Sequence, residues 1–149
     1  MMGVEEPKEL SSAVLNFPKD IPFQYDYEVD TFYVRPCYAR YYEYITNKFA
    51  ETGYTRKRGV TVTGTPGIGK SMFMAYFFLR YRFEHQHENP TIIMTSYNTS
   101  SILEEIVLWK DGLKSEEFYY DLPHLKKLYH EYPNALVLLD GPPAVAPRN

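Results

Sequence analysis

The sequence predicts an α/β fold in which a mostly parallel sheet is flanked by helices. Three observations lead to this prediction. Segments with strand-like and helix-like patterns alternate along the 149 residues. Residues 135–139 are continuously apolar, as in a parallel strand that is buried on both faces. A glycine-rich turn at residues 64–69 separates a β-branched segment from a strongly apolar, helix-like segment.

The chain is expected to divide into an N-terminal arm and one domain. Residues 1–30 predict an irregular, extended arm, because three prolines interrupt any periodic pattern. Residues 31–149 are predicted to form the domain, which begins with a short strand at residues 31–34. An N-terminal helix follows at residues 37–51, where aromatic and aliphatic side chains recur every three or four positions.

The later elements follow from local composition. The Asp111-Gly112 pair predicts a tight turn, which favours a strand entering a hairpin over a helix just before it. Pro133 predicts the end of the preceding helix. We therefore expect strands at residues 59–63, 91–95, 102–109 and 135–139, and helices at residues 70–84 and 123–131.

One motif carries most of the functional information. It satisfies the pattern G-x-x-x-x-G-K-[ST] with the residues Gly64, Thr65, Pro66, Gly67, Ile68, Gly69, Lys70 and Ser71. Glycines let backbone amides approach phosphate oxygens, and the N-terminus of the following helix extends this anion-binding site. We expect Lys70 to contact the β- and γ-phosphates and the hydroxyl of Ser71 to bind Mg²⁺.

A second candidate site residue follows the apolar strand at residues 135–139. Asp140 ends this strand, and an acidic residue in that position commonly orders the Mg²⁺ shell in phosphate-binding-loop proteins. The alternative is an Asp that only forms a turn. A strand intervenes in sequence between Ser71 and Asp140, so we expect the ATPase-type rather than the kinase-type strand order.

The chain resembles a known family in several runs. These runs are TFYVRPCYARYYEYI, VTVTGTPGIGKSMFMAYFFLRY, TIIMTS and ALVLLDGPP. They resemble the P-loop NTPase module of Crinkler effector proteins from filamentous plant pathogens, which is itself similar to retrotransposon hot spot proteins. The GTPGIGKS octet, the aromatic helix after it and the R-x-x-Y segment before it are the specific part. The resemblance spans roughly residues 31–143.

The resemblance implies a function and a setting. It implies binding of ATP or GTP with Mg²⁺, and hydrolysis coupled to action on nucleic acid in an intact protein. It also implies a secreted effector that acts in the host cell or nucleus, with a host protein as a further partner. Because the chain ends shortly after Asp140, we expect a partial P-loop NTPase domain whose sheet is incomplete at the C-terminus.

Catalytic residues cannot be assigned from the sequence. Many P-loop ATPases have a Glu directly after the metal-side Asp, whereas this chain has Gly141. Glu104 and Glu105 are the nearest spare acids, and they are either catalytic or part of a solvated face. The alternative function is therefore a non-hydrolysing effector or protein-interaction fragment in which the nucleotide site is structural.

Composition limits the other classes of function. The net charge of −3 and the pI near 5.8 exclude a basic nucleic-acid-binding domain, although a local basic patch at residues 56–58 could attract polyanions. A single cysteine fits a reducing compartment. Neither a signal peptide nor a membrane-spanning run is recognisable, so we expect an intracellular site and no membrane partner.

The aromatic helix before the motif has two interpretations. Tyr38, Tyr41 and Tyr42 could stack on an adenine, because segments before the phosphate-binding strand often contact the base. Their spacing of three and four residues also fits packing in the core.

Overall fold

The computed structural model describes residues 14–23, 28–52, 58–62 and 69–141. A short 3₁₀ turn at Gln86–Glu88 accompanies the regular elements of these residues. In chain order the regular elements are β1 (Val14–Asn16), β2 (Thr31–Tyr33), α1 (Cys37–Thr52), β3 (Arg58–Val62), α2 (Lys70–Glu84), β4 (Ile92–Tyr97), β5 (Leu103–Lys110), β6 (Leu113–Tyr119), α3 (Leu122–Glu131) and β7 (Leu136–Asp140).

The fold is mixed α/β, and its main sheet has the strand order β3-β7-β4-β5-β6. Strand β7 pairs in parallel with both β3 and β4. The pairings of β4 with β5 and of β5 with β6 are antiparallel. The predicted predominance of parallel pairing is therefore not confirmed, because half of the pairings are antiparallel.

The position of β4 corrects a second expectation. Strand β4 lies between β3 and β7 in sequence, but in the sheet it pairs with the far side of β7. The register matches Val62 of β3 directly with Asp140 of β7. The expected ATPase-type order, in which another strand separates the phosphate-binding-loop strand from the strand that ends in the Asp, is therefore wrong, since β3 and β7 are hydrogen-bonded neighbours.

The antiparallel part of the sheet contains the hairpin of β5 and β6. The sequence predicts β5 and the turn after it, but not β6. Asp111 and Gly112 join β5 to β6 with φ angles of 54° and 76°. Two consecutive positive φ values match the tight turn that suits the twist of paired strands. Strand β6 was missed because its residues are mostly exposed and polar, so no buried face shows in its pattern.

The sheet separates two apolar clusters. On one face, side chains of β4 and β7 such as Met94 and Leu138 pack against α1 and α2. On the other face, Ile93 and Val137 pack with Leu125 and Leu128 of α3. All residues of β4 and β7 are buried, as expected for strands covered on both sides.

Helix α2 is the most deeply buried helix of the described chain. Its buried residues occur all round the helix, as its unbroken apolar run predicts. Phe77 and Phe78 are 0% and 1% exposed. In the described part of the chain, no helix combines the length and the apolar character that crossing a membrane requires.

The predicted N-terminal arm is not irregular throughout. It contains β1, which pairs antiparallel with β2 at the predicted start of the domain to form a separate two-stranded sheet. Leu15, Phe17 and Ile21 are buried in the cluster that also contains Phe32 and the residues of α2. These described parts of the arm therefore cover the same face of the main sheet as α1 and α2.

Candidate functional site

The glycine-rich motif is described only at its end. Gly64, Thr65, Pro66, Gly67 and Ile68 lie outside the described residues, as do the side chains of the basic turn at residues 56–58. Gly69 is the N-cap of α2 and adopts a left-handed conformation with φ of 80°. Its carbonyl accepts a hydrogen bond from the amide of Phe73 at 3.0 Å. Lys70 and Ser71 follow as the first two residues of the helix, as predicted.

Two of the predicted site residues are brought together. The Oγ of Ser71 lies 3.0 Å from Oδ1 and 2.9 Å from Oδ2 of Asp140. Both residues are buried, with 3% and 0% exposure. Because a hydroxyl has one hydrogen to donate, the two contacts are a shared hydrogen bond from Ser71 to the carboxylate.

The fold explains why these residues meet. Side chains alternate along a strand, so Asp140 lies on the same face of β7 as Leu138, which packs in the α2 cluster. The carboxyl ends of the parallel strands β3, β7 and β4 lie at one edge of the sheet, and α2 begins there. The carboxylate of Asp140 consequently faces the helix N-terminus, where negative charge is stabilised by the helix dipole.

The chemistry of this pair fits Mg²⁺. Magnesium prefers oxygen ligands, and it commonly uses one or two protein groups together with water and substrate phosphates. The lone pairs of the Ser71 hydroxyl are not used in its bond to Asp140 and are suited to a hard cation. Within the described ranges, no group of three or more His, Cys, Asp or Glu residues could hold a metal by itself. A metal at this site would therefore depend on ligands from a bound phosphate and water.

The carboxyl group of Glu105 lies two strands away from Asp140, in the same row of side chains across the sheet. Register pairs Asp140 with Ser96 of β4, and Ser96 in turn with Glu105 of β5. Directly opposed residues point to the same face, and neighbouring strands are about 4.8 Å apart, which puts Glu105 about 10 Å from Asp140. Glu104 has the opposite direction, because successive side chains alternate.

The environment of Glu105 alters its protonation. Burial and a hydrogen bond with Glu117 raise the pKa of Glu105 to about 7. The pKa of Glu117 falls to about 2, because hydrogen bonds from Lys114 and Tyr119 stabilise its charged form. At neutral pH the two carboxyl groups therefore share a proton that Glu105 can gain or lose.

The aromatic helix has mainly a packing role. Tyr38 and Tyr42 are 3% and 1% exposed, and their rings contact Tyr76 of α2. Tyr42 also donates a hydrogen bond to Glu84 at 2.8 Å, and its pKa is raised by burial and by this bond. Tyr41 remains exposed, with its ring edge on Phe73 at 5.9 Å between centroids.

Sequence reasoning missed Arg35 as a neighbour of the glycine-rich motif, which it contacts together with Tyr38. The hydroxyl of Tyr38 donates a hydrogen bond to the carbonyl of Gly69 at 3.0 Å. A Cβ atom added to Gly69 would lie 3.0 Å from the guanidinium carbon of Arg35 and 3.0 Å from that hydroxyl. Arg35 therefore lies against the residue that begins α2. The available signal was the R-x-x-Y spacing of Arg35 and Tyr38, which is otherwise only a part of the family resemblance.

Comparisons with known proteins add no relative to this description. The chain matches no family model, no curated protein and no solved structure. The functional argument therefore rests on the sequence motif together with the geometry of the described site residues.

Proposed function

We propose that this chain binds ATP or GTP together with Mg²⁺ through residues 64–71 and Asp140. The observation that carries the proposal is the buried hydrogen bond from Ser71 to Asp140 at the N-terminus of α2. The sequence motif supplies a loop suited to phosphates, and the bond joins it to a carboxylate 69 positions away in sequence. Bound Mg²⁺ would neutralise charge on the β- and γ-phosphate oxygens.

Each described residue has a distinct part in this proposal. The amides at the start of α2 and the ammonium of Lys70 bind the phosphates. Ser71 ligates the cation, and Asp140 holds the Ser71 hydroxyl in position and orders water around the cation. The burial of the Ser71–Asp140 pair keeps both side chains in one arrangement before the nucleotide arrives.

The proposal is tested by titrating the protein with ATP and GTP in the presence of Mg²⁺. We expect Lys70→Ala to weaken binding tenfold or more, which corresponds to about 1.4 kcal/mol. Lys126→Ala, a change of an exposed lysine on α3, is the matched control and should leave affinity unchanged. A folded Lys70→Ala protein with parental affinity would refute the proposal.

The membership of the Crinkler and retrotransposon hot spot family is part of the same proposal and rests on the sequence resemblance. It extends the function to hydrolysis coupled to nucleic acid, and to action on a host target. Phosphate release by the chain, measured with and without DNA or RNA, tests this extension. Release that nucleic acid does not change would remove the coupling while leaving nucleotide binding intact.

Nucleotide binding without turnover is the second candidate. Gly141 follows Asp140 with φ of 100°, so the position directly after the metal-side carboxylate has no side chain that could activate water. For a hydrolytic site, Glu105 is the acid that the sheet register places in the row of Asp140. A phosphate-release assay with Lys70→Ala as the blank separates the two candidates, and Glu105→Gln then tests the acid.

A further inference from the structure

We propose that Arg35 binds the phosphate chain of the nucleotide beside Gly69, a role that rests on the proposed function. The observation is the close approach of its guanidinium to Gly69. A Cβ on Gly69 would lie 3.0 Å from Cζ and 3.1 Å from Nη2 of Arg35. The guanidinium thus lies at the point where the glycine-rich loop becomes α2.

The position of Arg35 is held from two directions. Its carbonyl accepts a hydrogen bond from the amide of Tyr38 at 3.0 Å, which forms the first turn of α1. Pro36 restricts the backbone of Arg35 to extended conformations. The buried Tyr38 then ties this turn to α2 through its hydroxyl on the carbonyl of Gly69. The start of α1 is consequently fixed relative to the start of α2.

The charges around Gly69 favour an anion. The N-terminus of a helix carries partial positive charge, and the first turn of α2 contains no acidic residue. Lys70 adds a positive charge in that turn, and Arg35 adds another from the segment that leads into α1. The carboxylate of Asp140 also faces this terminus, where it is hydrogen-bonded to Ser71. A phosphate at Gly69 would be stabilised by the helix terminus, Lys70 and Arg35 together.

The chemistry of arginine suits this place. A guanidinium is planar, always charged and able to donate two parallel hydrogen bonds to a phosphate. Amides of the glycine-rich loop bind the α- and β-phosphates, whereas the motif lysine reaches the β- and γ-phosphates. Because Arg35 lies at Gly69, it contacts the part of the phosphate chain that ADP and ATP have in common.

The test is calorimetric titration of the whole chain with ATP, ADP and adenosine in the presence of Mg²⁺. We expect Arg35→Ala to weaken ATP and ADP by the same factor of about ten, the size of one lost charged contact, and to leave adenosine unaffected. Arg35→Lys should retain part of the affinity because it keeps the charge. Arg40→Ala, a change of an exposed arginine on α1, should have no effect.

Three results would overturn this role for Arg35. These are a change of less than twofold for both nucleotides, a loss confined to ATP, or an equal loss in Arg40→Ala. Thermal unfolding without nucleotide supplies the structural readout, and all titrations are run well below the midpoint of the variant so that only folded protein is compared. If the parent protein binds no nucleotide, the proposed function itself fails. If the parent binds nucleotide, Lys70→Ala does not, and Arg35→Ala binds it as the parent does, only the role of Arg35 is refuted.

Discussion

The parallel and antiparallel halves of the main sheet bring residues together in different ways. In the parallel half, β3, β7 and β4 join segments that are distant in sequence, and the bond between Ser71 and Asp140 spans 69 positions. In the antiparallel half, β5 and β6 are consecutive, and Lys114 pairs with Glu117 only three residues away.

This difference shows where a site can form in the fold. Parallel strands need crossover connections, so their carboxyl ends gather side chains from separate segments at one edge. A hairpin gathers its own neighbours instead. The candidate nucleotide site lies at the parallel edge, and the register of β5 with β4 puts Glu105 on the same face of the sheet as Asp140.

The largest expected contrast between the halves is in stability. Leu138 of β7 is fully buried between helices, so we expect Leu138→Ala to lower the free energy of unfolding by about 2–5 kcal/mol. Leu113 in the hairpin is 62% exposed, and Leu113→Ala should change it by less than about 0.5 kcal/mol. Urea unfolding of both variants measures the contrast, and similar losses would show that the hairpin is as well packed as the parallel half.

The next contrast concerns the metal. Asp140→Asn keeps the shape of the side chain and removes its charge. The factor by which Mg²⁺ raises nucleotide affinity should therefore be smaller than in the parent by about tenfold or more. Glu116→Gln makes the same kind of change in the hairpin and should leave the Mg²⁺ response unchanged. Titrations in Mg²⁺ and in EDTA measure both. If Asp140→Asn keeps the full response, Asp140 takes no part in binding Mg²⁺ and its bond to Ser71 is structural.

The hairpin turn gives a smaller effect on stability. Gly112 has φ of 76°, and nothing lies within 4 Å of a Cβ placed there. Gly112→Ala should therefore cost about 1–2 kcal/mol through backbone strain alone. Nucleotide affinity should not change, because the turn is in the antiparallel half. If titration of the folded Gly112→Ala variant shows that it also loses nucleotide affinity, the two halves are coupled.

The smallest expected effect concerns how the free energy of unfolding depends on pH. Between about pH 4.5 and pH 7 the folded protein holds a proton on Glu105 that the unfolded chain has released. The folded state binds more protons in this window, so the free energy of unfolding falls as the pH rises through it. Glu105→Gln should reduce this fall, which unfolding at about pH 5 and about pH 8 measures. Parental pH dependence in the variant would show that Glu105 keeps its ordinary pKa.

Helices and buried strands were predictable where one pattern dominated. Residues 70–84 were predicted as a helix and form α2, because the apolar run and the motif before it fix both type and start. Residues 135–139 were predicted as a buried strand and lie almost entirely within a strand that ends at Asp140. In both segments burial determines the residue types, so the sequence carries the signal.

Strand order and the site neighbours were not predictable in the same way. Nothing in the composition of β4 says on which side of β7 it pairs, because both strands are buried on both faces. Arg35 precedes Gly69 by 34 positions, and their contact depends on how α1 packs on α2. Ser71 and Asp140 were predicted because a motif names each of them, whereas the R-x-x-Y spacing by itself gives Arg35 no place in the site.

The crowded position of Gly69 also has a consequence for sequence variation. A side chain there would meet both Arg35 and Tyr38, and a φ of 80° disfavours it as well. In any set of related sequences, positions 35, 38 and 69 should accordingly vary together. Relatives that lose the glycine should also have smaller residues at the other two positions, and a covariation count over these three columns would detect it.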